Sequence, residues 1–270
     1  MLFNVLCLVA LTTGTGTILS NTNTNSNSDD YDGPWRTSLD DENSCWTEGP
    51  SCTRVLTTSH GGDWNVDYPY DSMGAFNNAY INGADSVKGD FRVSLDNIGM
   101  VMHSSPIEIY ESINCFNKKV EEMSAEECQQ CEMINKDYHF VSVPDMLSWA
   151  NGKVNVMYCV KESTDIPRAI TTLIENNATH RAFLEVHVDE YLNLITTNTP
   201  HWDEVYYVLE IKSANDLDTL LNTTTCNELC LQRSFLYEFQ DSLDRTKFPD
   251  LENDIKRVKQ YNIRAMGVTP

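Results

Sequence analysis

The chain of 270 residues has no apolar run close to the roughly 18 residues that a membrane-crossing helix needs. Basic residues are scarce: 19 Lys and Arg stand against 40 Asp and Glu, a formal charge of −21. That deficit sets Coulomb repulsion against nucleic acid or an anionic membrane surface as the main partner. A local pocket can still oppose the global field and take an anionic small molecule. No repeat of solenoid length is visible. A second Cys/His pair is also missing at any suitable distance from Cys128-Gln129-Gln130-Cys131, so this half of a zinc motif stands alone. What is present is 41% apolar residues, enough for a sizeable core in one large α/β domain or two small ones.

The N-terminus carries signals of its own. Val5-Leu6-Cys7-Leu8-Val9-Ala10-Leu11 is a compact apolar centre followed by small and polar residues. It reads as a secretory signal over residues 1–20, although Leu2-Phe3-Asn4 supplies no positive charge; the plainer alternative is a buried N-terminal strand. Asn21 to Asp30 is an Asn/Thr/Ser run that buries nothing, and residues 21–44 are expected to form a polar flexible leader. The folded domain then spans residues 45–270. Setting Cys7 aside leaves Cys45, Cys52, Cys115, Cys128, Cys131, Cys159, Cys226 and Cys230, an even number that in an exported chain points to disulfides. The pairing stays open, with Cys45–Cys52 the simplest short loop. Two sequons, at Asn177 and Asn222, fit a secreted and glycosylated surface, although such triplets also arise by chance.

From Arg54 onward short apolar runs alternate with helical patterns. Arg54–Thr58 reads as a strand. Met73, Phe76, Ala79 and Tyr80 recur near the 3.6 period, so Ser72–Asn82 reads as a helix that Gly83 stops. Asp85–Val93 and Ile98–His103 read as neighbouring strands joined through Asp96-Asn97. Ser104–Tyr138 is polar and acidic and reads as a long surface excursion with a short helix. Strands are then expected at Val154–Val160, Ala182–Val188, Val205–Ile211, Ser234–Phe239 and Ile263–Val268. Helices are expected at Ile166–Asn176, Glu190–Thr196, Ser213–Leu221 and Leu251–Tyr261. Repeated β-then-α units imply a parallel sheet, and this many favours an α/β, TIM-type (β/α) barrel over an open sheet. Only seven barrel strands are found, so the barrel is expected to lack its eighth. An open barrel exposes edges on its first and last strands. The chain is therefore expected to be a fragment or an incomplete product of low stability. The rival is that the leader segment Tyr31–Trp46 covers the gap.

In such a barrel the chemistry sits at the C-terminal strand ends. Those positions hold His60 with Gly61 and Gly62, then Lys88 and Asp90, then His103, then Cys159 and Lys161. A single histidine at a strand end is usually only solvated. Two of them, with an acid and two lysines, could hold a phosphate and move protons around it.

Two longer stretches resemble the glycerophosphodiester phosphodiesterase family, a TIM-barrel class. One runs from Asp71-Ser72-Met73 through Gly83-Ala84-Asp85 and Lys88-Gly89-Asp90 to Met102-His103-Ser104. The other joins Val143-Pro144-Asp145-Met146-Leu147 and Gly152-Lys153-Val154 to Cys159-Val160-Lys161. The resemblance covers the chain from His60 to the C-terminus. It implies His60 and His103 as the paired general acid and base, Lys161 as a phosphate holder, and Asp90 as one of three acidic ligands of a divalent cation, Mg²⁺ or Ca²⁺. Asp71 keeps the acid of the family's Glu-Asn-Thr turn. Lys88 and Cys159 stand where the other two metal ligands belong, Ser104 replaces an Asp and Gly61 an Arg. One carboxylate is too few for a hard cation. Lys88 could imitate the ion in part, pairing with Asp90 and offering its ammonium to the phosphate. Cys159 could serve a softer metal as thiolate. Glu210-Ile211-Lys212 repeats the acid-x-Lys pattern across the barrel.

Two functions follow. The first is a secreted phosphoric diester hydrolase acting on glycerophosphodiesters or related lipid head groups. The second is a degenerate family member that binds a phosphate-bearing ligand or a protein partner without turnover. A disulfide-rich scaffold with no pocket fits the cysteines but not the histidines. Oligomeric state is left open.

Overall fold

Runs of β-branched and aromatic residues between turn-forming residues become the strands of one sheet, and the 3.6-period segments become the helices packed on it. In the computed structural model the described residues are 6–9, 56–222, 226, 228–234, 236–240, 244–261 and 263–268. The strands are β1 Leu6–Val9, β2 Leu56–His60, β3 Ser86–Val93, β4 Gly99–Val101, β5 Val141–Ser142, β6 Asn155–Val160, β7 Ala182–His187, β8 Tyr206–Ile211, β9 Leu236–Phe239 and β10 Arg264–Val268. The helices are α1 Met73–Ile81, α2 Ala125–Gln129, α3 Val143–Ala150, α4 Ile166–Glu175, α5 Val188–Thr196, α6 Ala214–Asn222, α7 Glu228–Arg233 and α8 Leu251–Gln260.

Seven strands, in the spatial order β2-β3-β6-β7-β8-β9-β10, pair in parallel and form the barrel wall. β4 lies antiparallel on β3, and β5 on β4, as a side extension. No eighth parallel strand is found among the described residues. The place between β2 and β10 is taken instead by β1, antiparallel to both. β1 overlaps the centre of the expected export signal. Residues Tyr31–Trp46, Cys45 and Cys52 lie outside the described residues. Removal of residues 1–20 would leave β2 and β10 with unpaired backbone groups. Residues 21–270 made alone are therefore expected to melt at least about 5 °C below the full chain. Equal, cooperative transitions in the two proteins would show that the parallel strands hold without β1.

The helices follow from local chemistry. Ser72 caps α1 by accepting from the Ala75 N–H, and Ser142 caps α3 in the same way from Asp145, with Pro144 in the first turn. Ile166, Ala169, Ile170 and Leu173 of α4 fall on one face and are buried against the sheet. That core continues through Phe91, Tyr158, Leu184, Tyr207 and Tyr237.

The excursion after His103 differs from its polar reading. Ile107, Val120, Met123, Met133 and Phe140 join Met100 and Met102 in a second core around the Cys115–Cys131 disulfide. Its apolar residues are sparse and follow no period, so no pattern announces them. A further disulfide joins Cys226 and Cys230. Cys128 and Cys159 are unpaired thiols, which corrects the expectation drawn from an even count. Cys131 is bridged to Cys115, so Cys128-x-x-Cys131 is not a zinc half-site.

Candidate active site

β2 delivers His60 to its C-terminal end, and Gly61 and Gly62 then turn the chain at φ +67° and +78°. A Cβ on Gly61 would sit 2.1 Å from the Tyr70 ring. The family's arginine there would collide with that ring, and glycine is what lets Tyr70 lie across the strand ends. His60 and His103 each pack on Tyr70, with ring centroids 5.6 Å away in both cases. Residues distant in sequence thus flank one tyrosine at one mouth of the barrel.

Asp90 is the hub beneath them. It is fully buried on β3, and its carboxylate takes three contacts: Lys161 Nζ at 2.7 Å, the Tyr70 hydroxyl at 3.0 Å and His60 Nε2 at 3.4 Å. The Asp90 backbone N–H donates to Asp71 Oδ2 at 3.3 Å, and its carbonyl accepts from Met102 N at 2.9 Å, which sets the following His103 beside the site. Burial opposes ionisation of Asp90, but the His60 hydrogen bond and the Lys161 charge outweigh it and hold the carboxyl well below the usual carboxylate range. Asp71 goes the other way: burial and the Asp90 charge raise it far above that range. Its second oxygen is buried and has no partner among the described residues.

The two histidines are not equivalent. Burial, then the Lys88 charge, pull His60 below the ordinary imidazole value despite Asp90. A neutral ring donating Nε2–H to Asp90 leaves Nδ1 as the proton acceptor. His103 is more open. Its Nδ1 lies 2.9 Å from Ser104 Oγ and 3.7 Å from Glu111 Oε1. Glu111 comes from the excursion and supplies the carboxylate that Ser104 lacks; nothing in its sequence context marks it.

Lys88 does not pair with Asp90, which corrects that expectation. Its ammonium, 2% exposed, is ion-paired with Glu185 and lies 3.3 Å from Glu238 Oε2. Buried there, it is not presented to a phosphate; Lys161 and not Lys88 makes the ion pair with Asp90. Glu185 and Glu238 each sit inside an otherwise apolar strand, a signal that sequence reasoning passed over. Burial and the neighbouring Glu185 push Glu238 up to about 8. A carboxyl raised on folding stabilises fully below its unfolded value of about 4.3 and loses that contribution as pH rises through the folded value. Stability is thus expected to fall between about pH 5 and pH 8, and Glu238→Gln to flatten the slope in denaturant titrations. A slope unchanged by Glu238→Gln would refute this.

A divalent cation does not fit these residues. Lys88 brings a fixed positive charge to the position of a ligand inside β3, and the Asp90 carboxylate is already engaged by Lys161, His60 and Tyr70. Burial pushes the Cys159 thiol far up, so it stays protonated and is no thiolate ligand at neutral pH. Glu210 pairs with His187 rather than rebuilding the Asp90 site. Calorimetry with Mg²⁺ or Ca²⁺ is expected to show no micromolar binding. An isotherm that Asp90→Ala abolishes would overturn this.

Parallel strands with their charged residues gathered at the C-terminal ends are the TIM-type (β/α) barrel. The Glycerophosphoryl diester phosphodiesterase family model matches residues 65–265, and the chain belongs to that family. No curated protein sequence matches it. A glycerophosphoryl diester phosphodiesterase from Parabacteroides distasonis is similar at TM-score 0.60 and 15% identity, over 76% of this chain and 68% of that one. The glycerophosphodiester phosphodiesterase of Agrobacterium tumefaciens is similar at TM-score 0.56 and 15% identity, over 77% and 84%. An Oleispira antarctica phosphodiesterase, solved in complex with the product sn-glycerol-3-phosphate, is similar at TM-score 0.59 and 11% identity, over 79% and 83%. At these identities the likeness is one of fold.

Proposed function

We propose that the protein is a phosphoric diester hydrolase acting on glycerophosphodiesters or related lipid head groups by histidine acid–base chemistry, without a divalent ion. The observation that carries this is the placing of His60 and His103 on either side of Tyr70, above the buried Asp90–Lys161 pair. The phosphate lies against Lys161, whose ammonium gives one N–H to Asp90 and one to Cys159 Sγ at 3.5 Å and keeps a third. His60 Nδ1 takes a proton from the attacking water as its oxygen bonds to phosphorus. The ester P–O bond breaks, and His103 Nε2 gives a proton to the departing alkoxide. Purified full chain is expected to release sn-glycerol-3-phosphate from glycerophosphocholine at a rate that neither EDTA nor added Mg²⁺ or Ca²⁺ changes. No product under any of these conditions would refute the reading.

One observation favours the second reading, binding without turnover. The Lys88 ammonium that stands at a metal-ligand position is buried against Glu185 and Glu238, so no cation there orients a nucleophile on the phosphate. Calorimetric binding of the diester with no product would establish it.

Export belongs to the same proposal. The disulfides support an oxidising compartment. Asn177 and Asn222 are exposed and open to a glycan. No helix among the described residues is long and apolar enough to cross a membrane. Recovery of glycosidase-sensitive protein from the culture medium tests this, and retention inside the cell would refute it.

A further inference from the structure

Beside the Asp90 site a cavity of about 220 Å³ opens over the ends of β6, β7 and β8, and Lys161 forms a wall common to both. Its other charged lining residues are Glu185, His187, Glu190, Glu210 and Lys212. The acids already have partners. Glu185 is ion-paired with Lys88, and Glu190 Oε2 accepts from the His187 backbone N–H at 3.1 Å. Glu210 is ion-paired with His187 Nδ1, and Lys212 Nζ lies 2.9 Å from His187 Nε2. The carboxylate fixes the imidazole, and the ammonium meets its other nitrogen. No Phe, Tyr or Trp lines the cavity; its one ring is the His187 imidazole.

We propose that this cavity is the subsite for the second alcohol of the diester, and that it selects an uncharged, hydroxyl-rich alcohol such as glycerol over choline. The inference rests on the reading of Lys161 as the phosphate-side residue. A quaternary ammonium has no N–H to give the carboxylates and would meet the Lys161 and Lys212 ammoniums, and the one ring in the lining, His187, is already engaged at both nitrogens by Glu210 and Lys212. A second anion would meet three carboxylates. Hydroxyl groups both donate and accept, and they match spare carboxylate lone pairs beside spare ammonium N–H groups. At about 30 Å³ per water, the cavity holds about seven waters. It falls below the roughly 300 Å³ where drug-sized pockets begin, so it takes a small alcohol and not an acyl chain.

The test is calorimetric titration of the full chain with glycerophosphoglycerol and with glycerophosphocholine, alongside Lys212→Met and His187→Ala. Lys212 is 55% exposed, so its replacement leaves the core untouched, and thermal unfolding confirms that each variant is folded. The wild type is expected to bind glycerophosphoglycerol at least about tenfold more tightly, as a site that hydrogen-bonds hydroxyls should. Lys212→Met is expected to weaken that diester about tenfold and to leave the choline diester within about twofold. Equal affinities in the wild type, or equal weakening of both diesters, would overturn the inference even if hydrolysis is observed. Selective binding without product would support it while the hydrolytic reading fails. Binding of neither diester would overturn both.

Discussion

Lys88→Met is expected to destabilise the fold by about 3–5 kcal/mol, the usual cost of removing one partner from a buried ion pair. The Lys88 side chain is 2% exposed, and its ammonium stands between Glu185 on β7 and Glu238 on β9. Without it two buried carboxyl groups face each other with no compensating charge. Denaturant unfolding measures the loss, and Lys88→Met combined with Glu185→Gln is expected to recover most of it. A single variant with the wild-type midpoint would show that the ammonium is not the structural cation. The same position governs the metal question. Lys88→Glu together with Cys159→Asp restores two acidic ligands beside Asp90 and is expected to create Ca²⁺ or Mg²⁺ binding that calorimetry detects. No binding in a folded double variant would show that more than these two side chains separates this site from a metal site.

His60→Ala is expected to lower kcat/KM by about 10²–10⁴, the range for losing a positioned general base. Its pH profile carries a second check. A base works only when deprotonated, so activity rises through the His60 value. That value lies below the ordinary imidazole range because of burial and then the Lys88 charge. The acid limb of kcat/KM is therefore expected below about pH 6.5. Asp90 raises the His60 value, so Asp90→Asn is expected to move the limb lower still. Full activity in folded His60→Ala, or a limb at the ordinary value, would remove His60 from the mechanism.

Much of the barrel was legible along the chain. The seven parallel strands fall where the apolar runs predicted them, because each run is short, rich in β-branched and aromatic residues, and bounded by turn residues. The helix after Asp71 was readable from its 3.6 period and from Gly83 as its stop. His60, Asp90 and Lys161 could be picked out because a (β/α) barrel puts chemistry at strand C-termini. α7 was missed: it is a short helix with only Cys230 buried and too little length to show a period.

Other features required the closed-up arrangement of strands. Lys88 meets Glu238 across a separation of 150 residues, and only the winding of the sheet brings β3 and β9 together around one interior. From sequence, Asp90 is the nearer acid, yet Lys88 and Asp90 divide between two different sets of partners. Glu111 reaches His103 because the excursion has a core of its own. The meeting of Glu210 and Lys212 with His187 depends on the register of β7 against β8, where His187 stands opposite Glu210. Local periodicity determined which segments are strands and helices and which residues stand at their ends, because backbone sterics and burial act over a few residues. Partner choice among the charged groups was decided by the tertiary structure, because burial makes each ion pair depend on the groups the barrel brings within a few ångströms, however far apart they lie in the chain.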